Sequence, residues 1–226
     1  RGRTPHPCLA CNDKLKFDFL LRRAMFLDAD YISTGHYARL RQDGDQIKLL
    51  KGIDPGKDQS YVLFTLRQPE LRKLLLPVGE YPKARIREIA QESGLSVADK
   101  LDSQEICFIP DGDYRKFVGD RNKPRPGPLL DSQGQVLGKH PGVHFFTIGQ
   151  RRGLGLKGNT GDPLYVTSID GDKNEVVLGP ERDLYRSVLW ASQVNYTGQF
   201  PIGPTKVTAK IRYKASASSG ILTSNG

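Results

Sequence analysis

Long apolar runs are missing from this chain. Hydrophobic residues make up 37% of its 226 positions, and the longest stretches, such as "YVLF" at 61–64, stop far short of the roughly 20 apolar residues that a membrane-spanning helix needs. A soluble protein without membrane partners is the expectation. Cysteine is scarce as well: there are three, an odd count, and the opening "RGRTPHPC" carries no apolar core of a secretory signal. The setting this implies is a reducing cytoplasm, where a CxxC more often means metal or redox chemistry than a structural disulfide. Acidic residues are in deficit, 25 against 34 lysines and arginines, for a net charge of +9. An anionic partner, nucleic acid first, therefore enters early, although the basic residues are spread along the chain. There is no internal repeat, and the length suffices for one large core or two small ones.

From Asn12, read as an N-cap, apolar residues fall at Phe17, Leu20, Leu21, Ala24 and Leu27, the spacing of an amphipathic helix. "DADYISTGHYARL" reads as a short strand and a glycine turn, so the first forty residues look like a helix-to-strand piece of an α/β layer with a parallel sheet. "QSYVLFTLRQPELRKLLLPVG" and "KARIREIAQESGL" read as further helices, the second closed by Gly94 in the left-handed region. After about residue 120 proline and glycine rise and short β runs take over. "LYVTSIDGDKNEVVLG" is a hairpin candidate, while "VLWASQVNY" and "KVTAKIRYK" alternate as strands do. The fold class is α/β followed by mostly β, with boundaries near 119 and, at "TGQFPIGP", near 197. The ends read as cut, the last stretch "SASSGILTSNG" being polar and leading nowhere, so a fragment is expected.

Cys8 and Cys11 have the spacing of half a zinc site, but no second pair at ligand spacing completes it near Cys107. His140 and His144 are separated by Pro141 and Gly142, so they cannot share a helical face. A redox reading places Cys11 at a helix N-terminus, with Lys14 and Lys16 adding positive charge, the setting of a reactive thiol. The plain alternative is that both cysteines are small buried hydrophobes. Cys107 follows Asp102, Ser103, Gln104 and Glu105 and precedes Phe108 and Ile109, as at a site on a sheet edge.

Five stretches, "RTPHPCLACNDKLKF", "DYISTGHYARL", "KDQSYVLFTL", "LDSQEICFI" and "FTIGQRRGLGL", stand in the order and spacing of the tRNA-specific 2-thiouridylase family, which the chain resembles over nearly its whole length. The resemblance implies an adenine-nucleotide α-hydrolase-like catalytic domain, here partial and ending near 119. It further implies a mostly β central domain at 120–197 and the start of a C-terminal β-barrel at 198–226. It implies ATP and magnesium as cofactors for activating C2 of the wobble uridine in tRNAs for Lys, Glu and Gln. Sulfur would come from a carrier protein or desulfurase; the oligomeric state stays open, with a monomer as the default expectation. The family's SGGxDS pyrophosphate loop does not stand in this sequence.

Carried over by motif, the catalytic cysteine falls on Cys11 and the persulfide carrier on Cys107, with a Cys11–Cys107 disulfide as the resting form. An activated uridine is an electrophile and a persulfide a strong sulfur nucleophile, so two thiols suit the chemistry. The base-contacting loop falls on His6, Pro7 and Cys8, and the nucleotide-contacting glycine on Gly35, with an ordinary turn glycine as the plain alternative. The tRNA side takes in His36 and the stretch Lys57, Asp58 and Gln59, where lysine can meet phosphate and the others read base edges. Arg212 and Tyr213 match an Arg-Tyr pair suited to stacking on an unpaired base. Arg151 and Arg152 of "GQRRGLGL" are expected to face RNA backbone.

Some family members carry aspartate where this chain has Cys8. The resemblance therefore leaves open a variant in which Cys8, Cys11 and Cys107 hold an iron–sulfur cluster. Two other function classes stay open: a non-catalytic RNA-binding protein with a metal-stiffened CxxC loop, and a thiol oxidoreductase cycling Cys8 and Cys11 alone.

Overall fold

The structure is a computed structural model that describes residues 6–100, 109, 113–120, 123–156, 161–213 and 215–224. Two compact units divide the chain: Pro7–Asp102 with Ser192–Gly226, and Ser103–Ala191 with Arg1–His6. Each has its own apolar core. Among the described residues no helix is long and apolar enough to cross a membrane.

In the first unit one helix runs from Pro7, whose fixed φ and missing N–H suit a helix start. It is α-helical over Pro7–Ala10, widens to i→i+5 hydrogen bonding over Cys11–Leu20, and returns to α over Leu21–Phe26. The helix thus begins five residues before the expected start, and Asn12 lies inside it as a buried residue with no capping role. The widening changes which side chains share a face. Five residues turn an α-helix to leave side chains about 140° apart, whereas the wider turn brings Asn12 and Phe17 to the same buried side, followed by Leu21. Leu20 and Leu27, which α-periodicity assigns to that face, are exposed, as are Leu15, Phe19 and Phe26.

Strand β1 (Ile32–Ser33) pairs in parallel with β4 (Leu74–Leu75), after the hairpin β2 (Ala38–Asp43) and β3 (Gln46–Lys51). The parallel pairing follows the sequence reading; the hairpin, turned at Gly44 with φ +58°, is an addition to it. The stretch read as one helix from Gln59 is broken into a 3₁₀ turn at Ser60–Leu63, one helical turn at Gln68–Leu71, β4, and a second 3₁₀ turn at Pro77–Glu80. Pro69 and Pro77 explain the break, because a proline fits only the first turn of a helix. The helix Lys83–Glu92 forms as expected, followed by Gly94 at φ +66°. Leu63, Leu66, Leu71, Leu74 and Ala38 pack against Phe17 and Leu21, and each buried leucine contributes about 1.5–3 kcal/mol.

The second unit holds one four-stranded sheet in the order β6-β5-β8-β7. The strands are β5 (Gly127–Leu130), β6 (Val136–His140), β7 (Tyr165–Asp170) and β8 (Glu175–Gly179). The β7–β8 hairpin is the one read from sequence; Asp170 Oδ1 accepts the N–H groups of Asp172 and Lys173 at 3.0 and 2.9 Å, which closes its turn. Parallel pairing of β5 with β8 gathers Leu129, Val166, Val176 and Leu178 around Phe146.

The stretch 188–196 forms no strand. Val188, Leu189 and Trp190 are exposed, and without a neighbouring strand among the described residues alternation leaves the backbone no ladder to join. Strand β9 (Thr205–Ala209) does form, and its antiparallel partner β10 (Ser218–Leu222) comes from the polar tail that gave no strand signal. This hairpin belongs to the first unit.

Candidate thiol site and nucleic-acid interface

The two N-terminal thiols lie on successive turns of the first helix. Cys8 is exposed in its first turn and Cys11 is half-buried where the helix widens, and both are free thiols. Because the helix starts at Pro7, the N–H-rich end that sequence reading assigned to Cys11 lies nearer Cys8. Cys107 and the acidic run before it fall outside the described residues. His6 is exposed and Pro7 half-buried. Among the described residues no three His, Cys, Asp or Glu side chains gather as a metal-holding group.

Directly after Cys11, the buried Asn12 donates its side-chain N–H to the Val62 carbonyl oxygen at 3.1 Å. Val62 belongs to the 3₁₀ turn Ser60–Leu63, and that turn ties several segments together. Gln59 bonds Tyr37 twice: its Oε1 accepts the Tyr37 N–H at 3.0 Å and its own N–H reaches the Tyr37 carbonyl at 2.8 Å. Asp58 accepts the N–H groups of Gly52 and Ser60 through Oδ1 and the Ser60 hydroxyl through Oδ2. The carboxylate and amide that sequence reading assigned to base edges are therefore engaged in holding this turn, while Lys57 is half-buried with its N–H on the Asp54 carbonyl.

On the other side, the Tyr61 hydroxyl donates to the Ile211 carbonyl at 3.2 Å, and its ring lies 6.3 Å from that of Tyr213 at 58°. Lys210 Nζ stands 5.6 Å from the Tyr213 ring centroid, a cation–π distance. Arg212 is exposed and Tyr213 keeps 39% of its surface open. Asn195 fastens the incoming chain by donating to the carbonyls of Phe64 and Leu66 at 2.7 and 2.8 Å.

Gly35 is exposed and a Cβ there would meet nothing within 4 Å, so a ligand could lie against its backbone. His36, by contrast, is buried with its ring 5.8 Å from Phe17 and its Nδ1 2.8 Å from the Thr34 hydroxyl. Burial, helped by the Lys16 ammonium, pushes its pKa down to about 4, so the ring is neutral near pH 7. In the second unit Arg151 and Arg152 are exposed, and Arg151 borders a cleft of about 510 Å³ with Gly153, Gly155 and Asp162.

Two site residues escape sequence reading. Asn12 carries a cap-like signal that points to a different role, and Tyr61 stands in a stretch whose pattern names no partner 150 positions away.

Residues 1–111 match the family model described as the tRNA methyl transferase HUP domain, and residues 115–180 the tRNA methyl transferase PRC-barrel domain. A nucleotide-α-hydrolase-like domain followed by a PRC-barrel domain is the class to which these family models assign it; among the described residues the sheets are small and none closes into a barrel. The tRNA-specific 2-thiouridylase MnmA of Moorella thermoacetica is 50% identical over 220 residues, covering 95% of this chain and 61% of that protein. Those of Carboxydothermus hydrogenoformans and Clostridium perfringens are 48% and 47% identical, each over 95% of this chain and 60% of the relative. The chain belongs to the tRNA-specific 2-thiouridylase family, and it spans about three-fifths of the length of these relatives.

Proposed function

We propose that this chain is part of an enzyme that replaces the C2 oxygen of a tRNA wobble uridine with sulfur. The observation that supports this most is the convergence, within one unit, of the Cys11 helix, the Gly35–Tyr37 turn and the Lys210–Tyr213 loop on the turn Ser60–Leu63. A thiol, an open glycine and an exposed aromatic-cationic loop thus share one scaffold, which is what base chemistry on an RNA loop requires. The family models' description speaks of methyl transfer and the relatives' names of thiolation; a CxxC with a third cysteine suits sulfur transfer.

When bound, ATP with magnesium would activate the uridine C2 oxygen by adenylation, and Gly35, with open space above its backbone, is the residue of this chain that would lie against the nucleotide. The terminal sulfur of a Cys107 persulfide then attacks C2 and AMP leaves, giving a mixed disulfide between Cys107 and the base. The Cys11 thiolate attacks the Cys107 sulfur, the S–S bond to the base breaks, and 2-thiouridine departs with the electron pair. What remains is a Cys11–Cys107 disulfide, which a thiol reductant must reopen before a sulfur donor reloads Cys107. Cys8, exposed one turn earlier, would face the base with His6 and Pro7, and Arg212, Tyr213 and Lys57 would hold the RNA. His36 acts as a neutral prop behind Phe17. In the variant reading, Cys8 and Cys11, three positions apart, would be two ligands of an iron–sulfur cluster completed by Cys107.

The test is Cys107→Ser in the full-length protein. Thiolation of tRNA should vanish while tRNA affinity stays the same; unchanged thiolation overturns the assignment, and anaerobic iron and sulfide content separates persulfide from cluster.

A further inference from the structure

Tyr213 can serve as a stacking platform only if its ring is held still, because an exposed tyrosine on a loop loses rotamer freedom when a base lands on it. Two features of the structure hold it. Tyr61, from a distant part of the chain, leans on the ring at 6.3 Å, and its hydroxyl is bonded to the carbonyl of Ile211, two residues before Tyr213. Lys210 Nζ stands 5.6 Å from the centroid of the same ring, a cation close to any nucleotide that stacks there and able to meet its phosphate. Tyr61 in turn is fixed because its neighbours Ser60 and Val62 are bonded to Asp58 and Asn12. The ring nevertheless keeps 39% of its surface open.

We propose that Tyr61 is a positioning residue for RNA binding: it locks the loop Lys210–Tyr213 in shape so that the Tyr213 ring stacks on one unpaired nucleotide. This rests on the reading of the chain as a tRNA-binding enzyme, and it adds a specificity, unpaired over paired RNA, generated by a pair of aromatic rings. Tyr61 acts through Tyr213 and does not itself touch the base. Its hydroxyl sets where the loop lies, and its ring sets how Tyr213 is tilted.

The experiment is fluorescence anisotropy of the full chain with an RNA stem–loop and with a fully paired duplex, for Tyr61→Phe, Tyr61→Ala, Tyr213→Ala and the double alanine variant, each checked by its thermal midpoint. Tyr213→Ala and Tyr61→Ala should each weaken stem–loop binding about tenfold, the size of one lost base–aromatic stack. Duplex binding should not change. Tyr61→Phe, which keeps the ring and loses only the bond to Ile211, should cost about threefold. The double variant should bind no more weakly than Tyr213→Ala alone. Additive losses, equal losses on duplex, or wild-type affinity in both Tyr61 variants overturn the proposal. Should Tyr61→Ala fold poorly, Tyr61→Phe decides. A wild-type chain that binds neither RNA overturns the tRNA reading itself, whereas loss in Tyr213→Ala alone leaves that reading standing and removes Tyr61 from it.

Discussion

Asn12 and Val62, fifty positions apart, are joined by a 3.1 Å hydrogen bond from a side-chain amide to a backbone carbonyl. That bond fixes the helix carrying Cys11 against the turn from which Tyr61 reaches the C-terminal loop. Its donor is 3% exposed, so the amide has exchanged water for this partner. Replacing Asn12 by alanine leaves the Val62 carbonyl without that donor and should lower unfolding free energy by about 1–3 kcal/mol. Asn12→Asp should cost more, since a carboxylate oxygen then faces the carbonyl oxygen. Urea titration of both variants checks the order.

His36 makes stability depend on pH. In the unfolded chain its imidazole takes a proton near 6.5, in the fold only near 4. Between those values the unfolded chain binds the extra proton, so this contribution is intact above pH 6.5 and lost as pH falls to about 4. A shift of that size corresponds to about 3 kcal/mol at most. Burial lowers the pKa of His140 as well, and the same direction of loss follows in the second unit. Denaturant unfolding at stepped pH should show the slope, and His36→Gln should flatten it by the His36 share alone.

Two glycines should respond oppositely to alanine. At Gly79, which is buried, a Cβ would land on the Ala38 carbonyl oxygen, backbone that cannot swing aside. Gly79→Ala should cost about 3 kcal/mol or leave the protein unfolded. Gly35 has open space and no left-handed φ, so Gly35→Ala should keep stability within about 0.5 kcal/mol. Any fall in nucleotide binding in that variant then reports a ligand lying on Gly35, and unchanged binding removes Gly35 from the site.

The thiols differ in access. Cys8 is exposed and Cys11 half-buried, so a maleimide added to the reduced protein should label Cys8 first, as read by peptide mass mapping. Cys8→Ser should leave Cys11 labelling slow. Equal rates at both would mean that the widened helix does not shield Cys11.

The signals legible in sequence were those carried by a few neighbouring residues. The β7–β8 hairpin follows from alternation around "DGDKN", the helix Lys83–Glu92 from its periodicity and the glycine after it, and the parallel pairing of β1 from an apolar strand after a helix. The errors have a common origin. Periodicity assumed one α-helical turn throughout, so it placed Leu20 and Leu27 inside and missed that Asn12 and Phe17 share the buried side. Alternation at 188–196 points to a strand that no neighbour among the described residues completes, while the plain "SSGIL" became β10 because β9 lay beside it.

By itself the sequence determined the family, the number and spacing of the cysteines, and which residues carry a charge or an aromatic ring, because motifs and composition travel with the residues themselves. Only the tertiary structure decided where those residues stand and what they touch. It turned Asp58 and Gln59 inward onto Gly52 and Tyr37, buried His36 in its neutral form, and set Tyr61 against Tyr213 across 150 positions. A hydrogen bond or a ring contact depends on distance in space, and local pattern carries no measure of that distance.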